Sequence, residues 1–424
     1  MMSEAKLEFL ERSKQFWNPG KTQDWQDMGV DLVIDKREGY HLYDMDGHRL
    51  IDVHLNGGTY SLGHRHPELV EVLKAGTARF DMGNHHFPAL ARTALAESLA
   101  ACAPAPDMKY TIYGAGGAEA IDIALKTARN AAQKRKIVSI VKAYHGHSGL
   151  SVKTGDERFS KIFLSEDTAG EFIQVPFNDL DAMEDALRKR DVAAVIMESI
   201  PATYGFPMPQ EGYLPGVKKL CERYDAFYIA DEVQTGLMRS GEMWCCNRYG
   251  VEPDIMVTGK GITGGLYPIA CALVSEKCGG WLKKDGFAHM STAGGAELGC
   301  IVAMKTLEIL QRPEIATMVR YVADYIRSGL DDIMAAYPDF FIGIRQHGLI
   351  MGLEFNHEQG AKPVMKHLYE NGVWAIFSTL DPRVLQFKPG ILMTQRDSED
   401  LLRRVEIAIA LASEEVMGKK HRWS

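Results

Sequence analysis

The sequence predicts an α/β protein. It has a large central domain with a mostly parallel sheet and helices on both faces, and a small α+β domain made from both chain ends. Three observations carry this reading. Short apolar runs alternate with helical patterns through the middle of the chain. Those runs are nearly free of charge, as strands covered on both faces are. The ends read instead as a hairpin and long amphipathic helices. The composition agrees: 424 residues, 46% hydrophobic and 25% charged, ordinary values for a globular chain able to bury a sizeable core.

The elements follow in chain order. Residues 38–53 read as a hairpin with Asp46-Gly47 at its turn. Residues 110–113, 137–141, 193–197, 226–230, 255–258 and 269–274 read as buried strands, rich in β-branched residues or alanine. Helical stretches at 117–134, 179–190 and 213–224 lie between them. Such alternation implies parallel strands joined by crossover helices. Residues 313–337 and 397–418 read as amphipathic helices, and 347–355 as a strand. The large domain is expected over 65–305 and the small one over 1–64 and 306–424.

Several function classes are excluded early. Lys plus Arg number 48 against 56 Asp plus Glu, a net charge of −8, with a pI near 6.0. Bulk nucleic-acid binding runs on a basic surface instead. Mean hydropathy is −0.17, and no apolar run reaches the ~18–20 residues of a membrane helix. The N-terminus is charged from Glu4 onward, unlike a signal peptide. The seven cysteines are scattered without a CxxC pair, so no metal framework is expected. Free thiols fit a reducing cytoplasm.

Five segments carry candidate chemistry. Gly114–Ala120 (GAGGAEA) follows a strand and opens an alanine-rich helix. A turn of this kind aims backbone N–H groups and the helix dipole at one spot, which suits a phosphate. It serves equally as a plain tight connection. Asp231 and Glu232 end an apolar strand, where a parallel sheet places its ligand crevice. Helix capping is the other use of such a residue, but Gln234 and Gly236 resemble a site loop. Lys260 sits just past the next strand between Gly259 and Gly261. Partial desolvation there lowers a lysine pKa and makes the amine a nucleophile; a surface lysine in a loop is the alternative. Tyr144, His145 and His147 follow the strand at 137–141, and Glu198 ends the strand 191–198. A ring at a strand end stacks on a flat cofactor or simply packs.

Taken together, these residues resemble the class III, fold type I family of pyridoxal-phosphate-dependent aminotransferases. The strongest part is Ile229–Gly241 (IADEVQTGLMRSG) followed by Pro253–Ala270 (PDIMVTGKGITGGLYPIA). Tyr43–Gly47 and Leu62–Pro67 (LGHRHP) extend it toward the N-terminus, and Arg345–Leu353 toward the C-terminus. The resemblance implies that pyridoxal 5′-phosphate is the cofactor and that Lys260 forms its Schiff base and shuttles the proton. It implies that Asp231 holds the pyridine nitrogen protonated, so the ring accepts carbanion charge. Gln234 meets the phenolic oxygen, Tyr144 stacks on the ring, His145 lies close by, and Glu198 is the acid near the cofactor. Gly116, Gly117 and Ala118 bind the phosphate, with Thr292 reaching the phosphate of a neighbouring subunit. The implied partners are a small amino donor and a carbonyl acceptor, in a homodimer or higher homo-oligomer.

Three departures from the family pattern stand out. The phosphate loop usually carries a hydroxyl where Gly116 and Ala118 stand. The usual Asn-Pro after Thr292 is replaced by Ala296-Glu297. Gln386 and Lys388 occupy the stretch where many relatives place a carboxylate-binding arginine, with Arg383 and Arg396 nearby but out of register. The implied reaction is therefore transfer from an amine or an ω- or β-amino acid to a keto acid or aldehyde, with Arg239 or Arg383 as a mobile arginine for a keto acid. The stretch Tyr144–Leu150 (YHGHSGL) also resembles glutamate-1-semialdehyde aminomutase, which keeps an aminomutase or epimerase as the alternative. A non-catalytic binding protein on the same fold is the third reading. Tyr60, Phe87, Tyr204 and Trp244 line the substrate side in an aromatic pocket, or else belong to core or interface.

Overall fold

A computed structural model describes residues 2–418. The central sheet has seven strands, labelled here in chain order: β1 Met108–Gly114, β2 Lys136–Ile140, β3 Phe172–Val175, β4 Val192–Glu198, β5 Phe227–Asp231, β6 Ile255–Thr258 and β7 Ala270–Ser275. Their order across the sheet is β1-β7-β6-β5-β4-β2-β3. Strands β2 to β6 pair in parallel. Strand β7 runs antiparallel to both β1 and β6. Every residue of β4, β6 and β7 is buried, the reason these segments read as unbroken apolar runs rather than alternating ones.

The helix Gly117–Ala132 follows β1 and buries Ala120, Ile121, Ile123, Ala124, Leu125 and Ala128 against the sheet. Its small side chains let it approach closely, and it ends where Gln133 turns left-handed at φ +54°. The helices Leu180–Leu187 and Tyr213–Arg223 connect β3 to β4 and β4 to β5. The switch between β1 and β2, which are adjacent in the chain but lie on opposite sides of β4–β7, opens a crevice at the carboxyl edge.

The chain ends meet in one sheet. Strands Ile34–Glu38, His41–Asp44 and Arg49–Asp52 are joined by Val373–Trp374, which lies parallel to Ile51 and Asp52. A second four-stranded sheet holds Phe341–His347, Ile350–Phe355, Asp381–Phe387 and Ile376–Ser378. Met1 and residues 419–424, expected in the small domain, lie outside the described residues. The long helices are Pro313–Ala336 and Gln395–Met417.

The structure corrects one expectation and adds to three others. Strand β3 was not foreseen, because FIQV is an edge strand, mostly half-buried. The direction of β7 differs from its neighbours, and an apolar run carries no direction. The strand expected over 347–355 is broken: Phe341–His347 and Ile350–Phe355 form a hairpin whose turn contains Gly348 at φ +56°. The hairpin turn expected at Asp46-Gly47 is present, with Gly47 at φ +82°, but a third strand, Ile34–Glu38, pairs outside it.

A buried ion pair fastens the N-terminal helix Glu4–Phe16 to this small sheet. Lys6 is 1% exposed, and its Nζ lies 3.0 Å from Asp44 Oδ2 and 3.5 Å from Asp31 Oδ1. Asp44 also accepts the N–H groups of Val33 and Asp46. Replacing one member of a buried pair strands the other charge. Lys6→Met is expected to lower unfolding free energy by about 3–5 kcal/mol, measured by urea denaturation, whereas Lys14→Met on the exposed face should change it by less than about 1 kcal/mol.

Candidate active site

The carboxyl ends of β4, β5 and β6 and the loop after β2 close around one cavity of about 380 Å³. Its lining includes Gly117, Ala118, Tyr144, His145, Glu198, Asp231, Gln234 and Lys260. The structure thus gathers eight of the ten sequence-predicted site residues from five separate segments. Gly116 lies one residue outside, as the cap of the helix Gly117–Ala132. Thr292 is exposed and lies apart from this cavity.

The helix start is built for an anion. Gly116 is extended and caps without a side chain, so the first-turn N–H groups have no intrahelical partner. A Cβ on Gly116 would meet nothing within 4 Å, so the cap itself borders open space. The Glu119 carboxylate accepts the Ala115 N–H at 2.7 Å and braces the turn from behind. Close packing holds the rest. A Cβ on Gly117 would come 3.3 Å from Val233, one on Gly259 3.2 Å from Ala270, and one on Gly146, at φ +120°, 2.5 Å from Ala118.

Two acids at the end of β5 have separate uses. Asp231 is buried, receives the Val233 N–H at 3.0 Å, and meets His145 Nδ1 at 2.7 Å. The other ring nitrogen of His145, Nε2, is buried without a protein partner. Glu232 points away from the cavity. It accepts N–H groups from Cys245 and Cys246 at 2.9 and 2.8 Å and the Thr235 hydroxyl at 3.0 Å. Burial pushes its pKa up to about 7. The sequence placed both carboxylates at the crevice; strand alternation sends only Asp231 there. The pairing of His145 with Asp231 was also not legible, since 86 residues separate them.

Glu198 is buried beside this pair. Burial and the Asp231 charge push its pKa up to about 8, while Lys260 opposes the shift. Lys260 opens a short 3-10 turn, Lys260–Thr263, at a left-handed φ of +41°, a conformation that non-glycine residues adopt at a cost. The segment Leu55–Gly58 lies directly against it: a Cβ on Gly57 would come 2.9 Å from Lys260 Cε and 3.3 Å from Gln234 Oε1. His54, beside that segment, was missed by the sequence reading. Burial and the charges of Lys388 and Lys260 depress its pKa to about 3, so its imidazole is neutral.

The arginines and aromatics read differently in three dimensions. Arg239 is 1% exposed and donates to the carbonyls of Pro389 (2.7 Å) and Leu349 (2.6 Å), so it is a fixed strut and not a mobile arginine. Arg383 pairs with Asp381 and Glu354. Lys388 is buried, and its Nζ donates to Gln386 Oε1 at 2.6 Å over the ring of Phe206. The expected aromatic pocket is dispersed. Trp244 is buried and donates to the Cys102 carbonyl, Phe87 is exposed, Tyr60 stacks on His64, and Tyr204 lies under Lys142.

Comparison with known proteins decides the family. Residues 22–409 match Aminotransferase class-III. The chain belongs to the class-III aminotransferase family. An uncharacterized aminotransferase from Archaeoglobus fulgidus is 39% identical over 411 residues, covering 97% of this chain and 96% of that one. A putrescine aminotransferase from Pectobacterium atrosepticum is 28% identical, covering 94% and 85%. A crystal structure of ornithine aminotransferase from Toxoplasma gondii, with pyridoxal phosphate at partial occupancy, superimposes with a TM-score of 0.88 at 25% identity, covering 97% and 95%. Class-III aminotransferases depend on pyridoxal phosphate, and this fold is their fold type I. Among the described residues of this class-III aminotransferase, no helix is long and apolar enough to cross a membrane, and no cluster of three or more metal-type ligands occurs.

The Glu198 shift has a thermodynamic consequence. A carboxyl whose folded pKa lies above its unfolded value of 4.5 binds more protons when folded. Its contribution to stability is fully present below pH 4.5 and is lost as pH rises through about 8. The cofactor-free Glu198→Gln variant should therefore gain stability over wild type as pH rises from 5 to 8.5, with the gain vanishing near pH 4. Urea midpoints measured across that range check the sign; a constant offset would contradict it.

Proposed function

We propose that this class-III aminotransferase moves an amino group from an amine, or an ω- or β-amino acid, to a keto acid or aldehyde. The observation that carries the reaction class is the convergence of Lys260, Asp231, Gln234 and an open helix start on one cavity. The donor set fits pyridoxal phosphate: a free first turn for the phosphate, a buried carboxylate for the ring nitrogen, and a lysine between them. Bound there, the cofactor supplies an electron sink for the substrate carbon.

The residues divide the work by position. Gly116, Gly117 and Ala118 hold the phosphate through N–H groups and the helix dipole. Asp231 keeps the ring nitrogen protonated, and His145 orients that carboxylate through its 2.7 Å contact. Tyr144 covers the ring face, and Gln234 donates to the phenolic oxygen. Lys260 bonds the cofactor at rest and carries the proton at the substrate carbon. Glu198, held uncharged in the middle of the pH range, sits by this lysine without adding a full negative charge.

The donor class rests on Gln386 and Lys388. In place of a guanidinium fork there is a lysine already bonded to a glutamine and sealed in the core. No bidentate cation is offered to an α-carboxylate at that place. The putrescine and ornithine specificities in the names of the two relatives, both amines at a chain terminus, point the same way.

We also assign a homodimer in which Thr292 serves the partner's phosphate. Phe87 and Leu90 from one segment, and Phe287 and Met290 from the segment that carries Thr292, are exposed on one chain. His86 and Phe287 bring the two segments together, with ring centroids 6.2 Å apart. An apolar patch of this kind marks an interface. All seven cysteines are free and six are buried, which suits a reducing cytoplasm.

Two measurements test the reading. Lys260→Ala should abolish the borohydride-sensitive cofactor band and cut turnover by roughly three orders of magnitude or more; an ordinary band in the variant would refute the lysine assignment. The reconstituted enzyme should be mixed with single donors and its conversion to the pyridoxamine form followed. Primary amines and ω- or β-amino acids should convert it fastest. Conversion only by a common L-α-amino acid overturns the donor class, and turnover of one compound with no second substrate would indicate a mutase or epimerase.

A further inference from the structure

The segment between Asp52 and His64 opens in a conformation that Leu55 disfavours. Leu55, Asn56, Gly57 and Gly58 are all left-handed, with φ of +50°, +48°, +70° and +91°. Glycine tolerates this; a leucine does so only under outside constraint. Consecutive outliers of this kind persist where the surroundings over-determine them.

The constraint is visible. The Asp52 carboxylate accepts the N–H groups of His54 at 3.0 Å and Leu55 at 2.8 Å through one oxygen. Its other oxygen meets His64 Nε2 at 2.8 Å. Asp52 and His64 are each 3% exposed, and Leu55 is fully buried. The two ends of the segment are tied elsewhere as well. Asp52 lies beside Trp374 in the small sheet, and the His64 backbone exchanges hydrogen bonds with Gly39. The Tyr60 ring stacks on His64 with centroids 4.0 Å apart. One carboxylate therefore spans from the entry of the loop to its exit.

The loop so fastened rests on the reactive lysine. Gly57 leaves no room for a side chain against Lys260 Cε and Gln234 Oε1, and the Gly58 carbonyl oxygen would stand 3.2 Å from a Cβ on Gly261. The loop backbone thus lies directly beside the aliphatic stem of Lys260.

We infer that Asp52 and His64 are positioning residues whose pair clamps the Leu55–Gly58 loop onto Lys260 and so sets the direction of its amine. The inference rests on the role of Lys260 in the proposed function. Misplacing a catalytic group by a fraction of an ångström lowers the rate of the step it performs more than it lowers binding. The pair therefore acts on the maximal rate and spares affinity for the cofactor and the donor.

The test uses the full-length holoenzyme and three variants: His64→Leu, which removes the bond to Asp52; His64→Gln, which keeps a donor; and Asp52→Asn. The maximal rate of conversion by the best donor, the donor concentration at half-maximal rate, and cofactor affinity by titration are each compared with wild type. Hydrogen exchange at the His54 and Leu55 amides reports the loop. His64→Leu and Asp52→Asn should slow the maximal rate about tenfold or more, with both affinities within about threefold and the two amides exchanging at least about tenfold faster. His64→Gln should recover most of the rate. A His64→Leu rate within twofold of wild type despite loosened amides overturns the inference. So does loss of fold in all three variants, or equal loss of rate and both affinities in His64→Leu and His64→Gln, since either assigns the pair to stability alone. A wild-type protein without the borohydride-sensitive cofactor band would instead sink the functional reading beneath it.

Discussion

Every function assigned to the cavity depends on close approach where bulk is missing. Gly117 against Val233, Gly146 against Ala118 and Gly259 against Ala270 bring a helix start and two strand ends within van der Waals contact. A methyl group at Gly146 would overlap its neighbour. Only because these backbones touch do the N–H donors, the Asp231 carboxylate and the Lys260 amine share one small volume. Small residues here are thus a geometric requirement of the cavity, and its side chains are placed by what their neighbours lack.

The second organising constraint is burial of charge. Asp231, Glu198, Lys388 and Arg239 are all buried near the cavity. Each finds a different resolution. Asp231 takes hydrogen bonds, Glu198 holds its proton, Arg239 spends its donors on two carbonyls, and burial with like-charged neighbours pushes Lys388 well below its usual pKa. A site arranged in this way has little spare positive charge to offer a second carboxylate. The proposed donor class rests on that shortage as much as on any one residue.

The large sheet was legible because β4, β6 and β7 are buried on both faces, and continuous apolar runs betray that state directly. Lys260, Asp231 and the glycine turn were legible because strand ends in an open parallel sheet face the crevice. What escaped has physical causes. The edge strand β3 is too exposed to read as core. The choice between Asp231 and Glu232 hangs on a one-residue alternation. The partners of His145, Arg239 and Lys388 come from distant segments, and no local pattern encodes them. The left-handed turn at Leu55 is imposed by Asp52, whose hold on it no composition reveals.

The reversed strand β7 bears on how such a protein diversifies. Because β7 pairs antiparallel with β6, the connection carrying Lys260 returns at once into the sheet without a crossover helix. Both ends of that connection are pinned by strands only one position apart in the sheet order. Insertions or shifts there would tear two ladders together, so the lysine loop is the least free part of the cavity wall. Its other walls come from segments far apart in the chain: the helix start after β1, the loop after β2 and the ends of β4 and β5. Those segments can be redrawn one at a time while the Lys260 loop keeps its place between β6 and β7.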